Sequence, residues 1–292
     1  MNHEVVVSKI REQLKNYIQK NNIKSLVIGV SGGMDSCLCA ALARPVCDAN
    51  GIPLIGRSLP IISNNSDEID RAALTGRVFC TDFKEDKILE VYYNRMSSEL
   101  NIDPIIGYNS GDNLKEWKIR NGNMKTRLRM IYLYNLASTN KGMVLSTDNL
   151  TEYLLGFWTL HGDVGDFGMI QELYKSEVYD MAEWLAINEC YDNRDAYDAL
   201  MLTINALATD GLGVTDSGDL GQILPNWKGK SRDGYKEVDR ILQVWINMDY
   251  LGEKQKETLN LLKDHPVIQR HLSSSFKRNN PYNLKRLTII KE

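Results

Sequence analysis

No stretch of the 292-residue sequence is apolar for long enough to cross a bilayer, and the opening MNHEVVVSKIREQ lacks the apolar segment of a secretory leader. Paired cysteines are missing too. The five thiols, at positions 37, 39, 47, 80 and 190, are odd in number and form no C-x-x-C, so reduced thiols in a cytoplasmic protein are expected. There is no excess of basic charge either: the net value of −3 argues against a general nucleic-acid binder. Internal repeats and low-complexity segments are absent, while 25% charged and 43% apolar residues are ordinary for a globular chain with one large core or two modest ones.

Two common phosphate loops are also missing. Nothing reads G-x-G-x-x-G, and no Lys-Ser/Thr pair follows Gly33. The one Gly229-Lys230-Ser231 has Leu224 where a Walker loop needs its first glycine, and it follows Pro225 and Trp227 rather than a strand. What is present is Ser31-Gly32-Gly33-Met34-Asp35-Ser36, placed directly after the apolar run Leu26-Val27-Ile28-Gly29-Val30. A buried strand that empties into a small glycine-rich turn and then a helix holds phosphate well. Glycines let backbone N–H groups approach the anion, and the helix start adds its unpaired N–H groups and positive dipole end. Asp35 would repel phosphate unless a divalent cation lay between them, so a magnesium nucleotide is expected.

Alternation of strand and helix patterns along the chain predicts an α/β fold with a doubly wound parallel sheet and flanking helices. Residues 4–20 carry an apolar stripe at Val7, Ile10, Leu14 and Ile18. Strands are expected at 26–30, 54–59, 78–81 and 143–146. Helices are expected from near Ser36 to a stop or kink near Ala43 forced by Pro45, at 64–78, around 88–96, at 123–138, from near Asn149, and at 175–187. Residues 101–122 read as a long loop, 161–168 as a glycine-rich loop, and 205–235 as a mobile excursion over the site; helices near 236–250 and 253–263 close the fold. In such a sheet ligands bind at the carboxyl ends of the strands, where the phosphate loop lies.

Lys115, Lys118, Arg120, Lys125, Arg127 and Arg129 face a single acid, Glu116, over fifteen positions. That run is either a solvated face or a landing strip for an anionic substrate. A second strand end feeds a helix at Ser146-Thr147-Asp148-Asn149-Leu150-Thr151-Glu152. Asn149 and Glu152 have the spacing of a capping box, and Glu152 together with Asp35 makes a candidate Mg²⁺ pair.

The Ser31–Ser36 loop resembles the S-G-G-x-D-S loop of the PP-loop ATP pyrophosphatases, which cleave ATP to AMP and pyrophosphate. Further motifs narrow the likeness to the NAD synthases. Gly122-Asn123-Met124-Lys125-Thr126-Arg127-Leu128-Arg129-Met130 is similar to that family's G-N-x-K-x-R-x-R-M helix. Thr147-Asp148 through Glu152 and on to Gly156-Phe157 resembles its T-D-x-x-x-E-x-x-x-G-F, and His161-Gly162-Asp163 through Asp166 and Lys175 resembles its Y-G-D-G-x-x-D loop and lysine-bearing helix. Ser275-Phe276-Lys277-Arg278 is similar to its terminal S/E-H-K-R. The chain departs from the pattern at Leu160, where the family carries lysine, at Phe276, and in a loop one residue shorter between Glu152 and Lys175.

The resemblance implies a PP-loop fold of one NAD synthase domain over 1–292, with a core at 21–190 and a C-terminal mobile loop and helices at 200–292. It implies ATP-dependent amidation of deamido-NAD (nicotinic acid adenine dinucleotide) to NAD through an adenylated intermediate. ATP would be bound by Gly29, Val30, Ser31, Gly32, Gly33, Met34, Asp35, Ser36, Arg57, Thr147, Lys175 and Thr203. Asp35 and Glu152 would hold Mg²⁺ and, with Lys175, carry the catalysis. Deamido-NAD would meet Arg127, Asp166, Phe276 and Lys277. The chain has no room for an added glutaminase domain, so ammonia is the expected nitrogen donor and a homodimer the expected assembly, with no nucleic acid and no membrane as partner. Two other readings stay open: a tRNA-modifying PP-loop ligase, for which the C-x-C at Cys37 and Cys39 would matter, and a nucleotide sensor without catalysis.

Overall fold

The computed structural model describes residues 1–62, 65–100, 114–209, 218–247 and 261–283. Five parallel strands form its sheet: β1 (Leu26–Gly29), β2 (Leu54–Ser58), β3 (Asp82–Glu85), β4 (Met143–Ser146) and the two-residue β5 (Phe167–Gly168). Their order is β3-β2-β1-β4-β5. Leu26 lies opposite both Leu54 and Met143, so β1 is central. Its Leu26, Val27 and Ile28 are fully buried, as a strand covered on both faces requires. The chain steps outward through β2 and β3, then returns to the other side of β1 with β4. That reversal opens a crevice at the carboxyl ends of β1 and β4.

The helices in chain order are α1 (His3–Lys20), α2 (Met34–Asn50), α3 (Ser66–Phe79), α4 (Ile88–Glu99), α5 (Leu114–Thr139), α6 (Leu150–Leu155), α7 (Lys175–Asn188), α8 (Arg194–Asn205), α9 (Leu220–Ile223), α10 (Ser231–Ile246), α11 (Pro266–Ser273) and α12 (Ser275–Arg278). One apolar core runs from Val7 of α1 through α2, α7 and α8 to Val267 and Ile268 of α11. Smaller clusters join Leu59, Tyr93 and Leu128, and Val27, Ile55 and Val144.

The expected strands at 26–30, 54–59 and 143–146 form, and so do the helices at 4–20, 88–96 and 175–187, while the one expected at 64–78 forms over 66–79. Several boundaries differ. Helix α2 begins at Met34 and runs through Pro45 to Asn50. Val46 and Cys47 beyond the proline are buried, and Gly51 at φ +63° ends the helix in a left-handed cap; this packing outweighs the bond that Pro45 cannot make. The third strand lies at 82–85, not 78–81. Val78 and Phe79 finish α3, and β3 alternates exposed and half-buried positions, so an apolar run does not reveal it. Helix α5 begins at Leu114, so residues 114–122 are helix and not loop, while 101–113 lie outside the described residues. The segment 205–235 contains α9 and the start of α10, and its residues 210–217 lie outside the described residues. Helix α10 spans 231–246 where 236–250 is expected; residues 248–260, with most of the helix expected at 253–263, lie outside the described residues, and Leu261–Asp264 forms a 3-10 turn.

Candidate active site

The phosphate loop follows β1 because Val30 N–H still pairs with the Arg57 carbonyl (2.8 Å) before the chain turns. Gly32 makes the turn at φ +83°, where a Cβ would sit 2.1 Å from the Glu68 carbonyl oxygen. Only glycine fits both conditions. Ser36 Oγ accepts from Ser31 N–H (3.3 Å) and donates to the Gly33 carbonyl (3.1 Å), while Ser31 Oγ accepts from Gly33 N–H (3.2 Å). The two serines thus brace the loop. Gly33 gives α2 no side-chain cap, which leaves the start of that helix available to an anion.

Across the crevice, the Asn149 amide oxygen accepts from Glu152 N–H (3.0 Å), and Glu152 Oε2 accepts from Asn149 N–H (3.3 Å). This is the capping box that the spacing predicts. The same Asn149 donates its Nδ2 to Asp35 Oδ1 (2.9 Å), so one side chain caps α6 and fixes the loop aspartate. Lys175, the first residue of α7 and 4% exposed, places its ammonium against Asp35 Oδ2 and 3.1 Å from Glu152 Oε1, with the Tyr235 ring 5.7 Å away. Burial alone would lower the Lys175 pKa, but the two carboxylates outweigh it and hold it well above the ordinary value. Burial and the nearby Asp35 push Glu152 up to about 7 against the pull of Lys175. Two carboxylates against one ammonium leave this corner short of positive charge.

Asp35, Glu152 and Lys175 line a cavity of about 640 Å³ with Gly29 to Ser36, Arg57, Thr147, Thr203, Arg127, Phe276 and Lys277. The individual placements differ. Arg57 sends its guanidinium to Asp82, with bonds of 2.8 and 3.2 Å, so its flank rather than its charge faces the cavity. Thr203 turns its hydroxyl back to the Leu200 carbonyl (2.8 Å). Arg127 Nε bonds the Leu160 carbonyl (3.2 Å). Lys277 bonds the carbonyls of Gly156 (2.7 Å) and Trp158, and burial lowers its pKa to about 8. Phe276 is 62% exposed. Asp166 is not brought to the cavity. Its carboxylate accepts from Val144 N–H (2.8 Å) and Tyr134 Oη (3.3 Å), which ties β4 to the following loop. Asp163, three residues earlier, lines the cavity instead and accepts from Thr159 N–H (2.7 Å).

Asp148 also lines the cavity, and burial pushes its pKa well above the usual range. Asp163 does not stand out in the sequence except as part of a motif, and Asn149 reads there only as a cap. Cys37 and Cys39 are fully buried behind the loop. Burial raises the first thiol to about 11 and the second well above its ordinary value, so neither suits sulfur transfer.

Among the described residues no three His, Cys, Asp or Glu side chains gather as a metal cage. Mg²⁺ does not need one, since it takes one or two carboxylates together with phosphate oxygens and water. Asp35 and Glu152 already converge on a single cation, the Lys175 ammonium, and carry charge to spare. They fit a hard divalent ion.

The family model described as NAD synthase matches residues 6–195. The chain is 29% identical over 282 residues to the NH(3)-dependent NAD(+) synthetase of Thermoplasma acidophilum, covering 96% of this chain and 97% of that protein. With the enzyme of the same name from Finegoldia magna it shares 30% identity over 280 residues, 95% and 98% of the two chains. The fold superposes on the NMN synthetase of Francisella tularensis with a TM-score of 0.69, at 23% identity and 98% and 99% coverage.

Proposed function

This chain belongs to the NAD synthase family, and from that premise we propose that the crevice between β1 and β4 amidates deamido-NAD with ATP and ammonia, releasing AMP and pyrophosphate. The observation that carries the reading is the convergence of Asp35, Glu152 and Lys175 at the phosphate loop. A carboxylate is an anion that resists attack by ammonia. Its oxygen therefore attacks the α-phosphate first, forming an acyl adenylate as the bond to the β-phosphate oxygen breaks. Ammonia then adds to the acyl carbon, loses a proton, and AMP leaves with the carboxylate's former oxygen.

No side chain needs to become a covalent intermediate. Catalysis rests on positioning and on charge. The loop N–H groups from Gly32 to Ser36 hold the phosphates in line, and Lys175 shifts from the carboxylates to the departing pyrophosphate. Asp35 and Glu152 would hold Mg²⁺, which when bound would supply positive charge to offset that of the phosphates. Arg127, Lys277 and Phe276 receive the dinucleotide, with Asp163 in the position that the motif assigns to Asp166. The Arg57 flank and Thr147 lie against the nucleotide. Thr203, whose hydroxyl is engaged within α8, contributes shape.

We read the chain as one domain, supported by the large core that joins α1 to α11. The exposed Ile88, Val91, Tyr92 and Met96 of α4 support a homodimer through that face, to be tested by light scattering on the purified protein. Five free cysteines support a cytoplasmic setting.

The deciding assay supplies ATP, Mg²⁺ and ammonium with either deamido-NAD or nicotinate mononucleotide as acceptor, and follows products by mass spectrometry. NAD and AMP in equal amounts are expected with deamido-NAD. Absence of both defeats the reading, and preference for the mononucleotide reassigns the acceptor.

A further inference from the structure

Asp239 is an anomaly in the apolar face of α10. That face carries Tyr235, Val238, Ile241 and Leu242, and Asp239 sits among them at 1% exposure. Burying a carboxylate on such a stripe is costly unless its oxygens are bonded, and an apolar residue would pack there more cheaply. Both oxygens are in fact bonded. Oδ1 accepts from Thr151 Oγ1 at 2.5 Å and Oδ2 accepts from Ser176 N–H at 2.8 Å. Thr151 Oγ1 in turn accepts from Lys175 N–H at 2.8 Å.

The partners are what give this network meaning. Thr151 is the neighbour of Glu152 on α6, and Ser176 is the neighbour of Lys175 on α7. The first two N–H groups of α7 thus both end on the Thr151–Asp239 pair. Its own N-cap, Tyr174, supplies no side-chain cap bond, and only Glu177 reaches back to Tyr174 N–H (2.9 Å). A negative charge beside the start of a helix is also favourable against the dipole. One turn earlier on α10, Tyr235 lies beneath the Lys175 ammonium. Residues four apart on one helix face therefore set the lysine at both ends, Asp239 at its backbone and Tyr235 at its charge. Helix α10 lies beyond the stretch matched by the family model.

We propose that Asp239 is a positioning residue for Lys175, holding the start of α7 through Ser176 and Thr151 so that the ammonium reaches both the carboxylate pair and the pyrophosphate leaving group. The inference rests on the phosphate-holding role of Lys175 given above. Asp239 touches no substrate. It acts by fixing where a cation can go, as outer partners do for the ligands they orient.

The test is a double-mutant cycle read by calorimetric binding of Mg²⁺-pyrophosphate, which involves no acceptor. Asp239→Asn presents an amide that cannot accept at both positions, and it is expected to weaken binding about tenfold. Lys175→Met is expected to weaken it at least as much. The double variant should bind no worse than Lys175→Met alone, because the aspartate acts only through the lysine. A structural role instead predicts losses that multiply, and that result overturns the proposal, as does native affinity in Asp239→Asn or in Lys175→Met. If Asp239→Asn fails to unfold cooperatively, Thr151→Val cuts the same relay from α6 and must give the same pattern. NAD formation by the native protein is scored separately: its absence defeats the amidation reading and leaves the pyrophosphate cycle readable.

Discussion

At the scale of single residues, the charge imbalance around Lys175 sets the behaviour of the site. Glu152 is held near 7 by burial, above the value of about 4.5 that it has when unfolded. A raised carboxyl pKa favours folding most below the unfolded value, and that contribution is lost as pH rises through 7. Glu152→Gln should therefore stabilise the free protein by on the order of 1–2 kcal/mol at pH 8 and give no such gain at pH 4.5, as read from urea midpoints. The same variant, like Asp35→Ala, should abolish pyrophosphate release. Stability and activity pull apart here, as is common where a site gathers like charges. The thiols give a second check. Cys37, Cys39, Cys47 and Cys80 are buried, while Cys190 is half-buried. With Cys37 near 11 and Cys47 and Cys80 near 12, each carries about a hundredfold less thiolate than an ordinary thiol or lower. A colorimetric thiol reagent at pH 8 should find Cys190 first, and all five only after denaturation.

At the scale of elements, α2 shows a proline overruled by packing. Pro45 is exposed while Val46 and Cys47 are buried, so Pro45→Ala should restore a backbone donor without disturbing the core and raise stability by about 2 kcal/mol in urea unfolding. Local rules place Ala43 as the stop, because they carry no knowledge of what lies beneath the next turn. Elements with a periodic apolar pattern were legible: α1, α3, α4, α7 and strands β1, β2 and β4. Those without one were not. Strand β3 is polar at an edge, and the first turns of α5 combine basic and apolar residues with no single face. The candidate site divides in the same way. Glycines, Asp35, Glu152 and Lys175 announce themselves by motif. The second task of Asn149 depends on a neighbour more than a hundred residues away, and Asp166 differs from Asp163 only by which of them the loop turns inward.

At the scale of the whole molecule, the short helix α6 is held from outside at both ends. Asn149 and Thr151 tie its start to Asp35 and Asp239. Its last carbonyls receive cations from the far end of the described chain: Arg270 on Leu155 (2.8 Å), Arg278 on Leu154 (2.7 Å) and Lys277 on Gly156. A six-residue helix cannot sustain itself, and cations at its carboxyl end oppose the dipole favourably. Deleting the chain after Asp264 should lower the melting temperature by several degrees, since Val267 and Ile268 leave the core, and should remove pyrophosphate release altogether. That clasp has a meaning in time as well as in space. A chain emerging from the ribosome can assemble its sheet and present the phosphate loop long before Arg278 is made. The helix that carries Glu152 receives its carboxyl-end clasp only once that arginine has been made, so the loop is complete before the clasp can close.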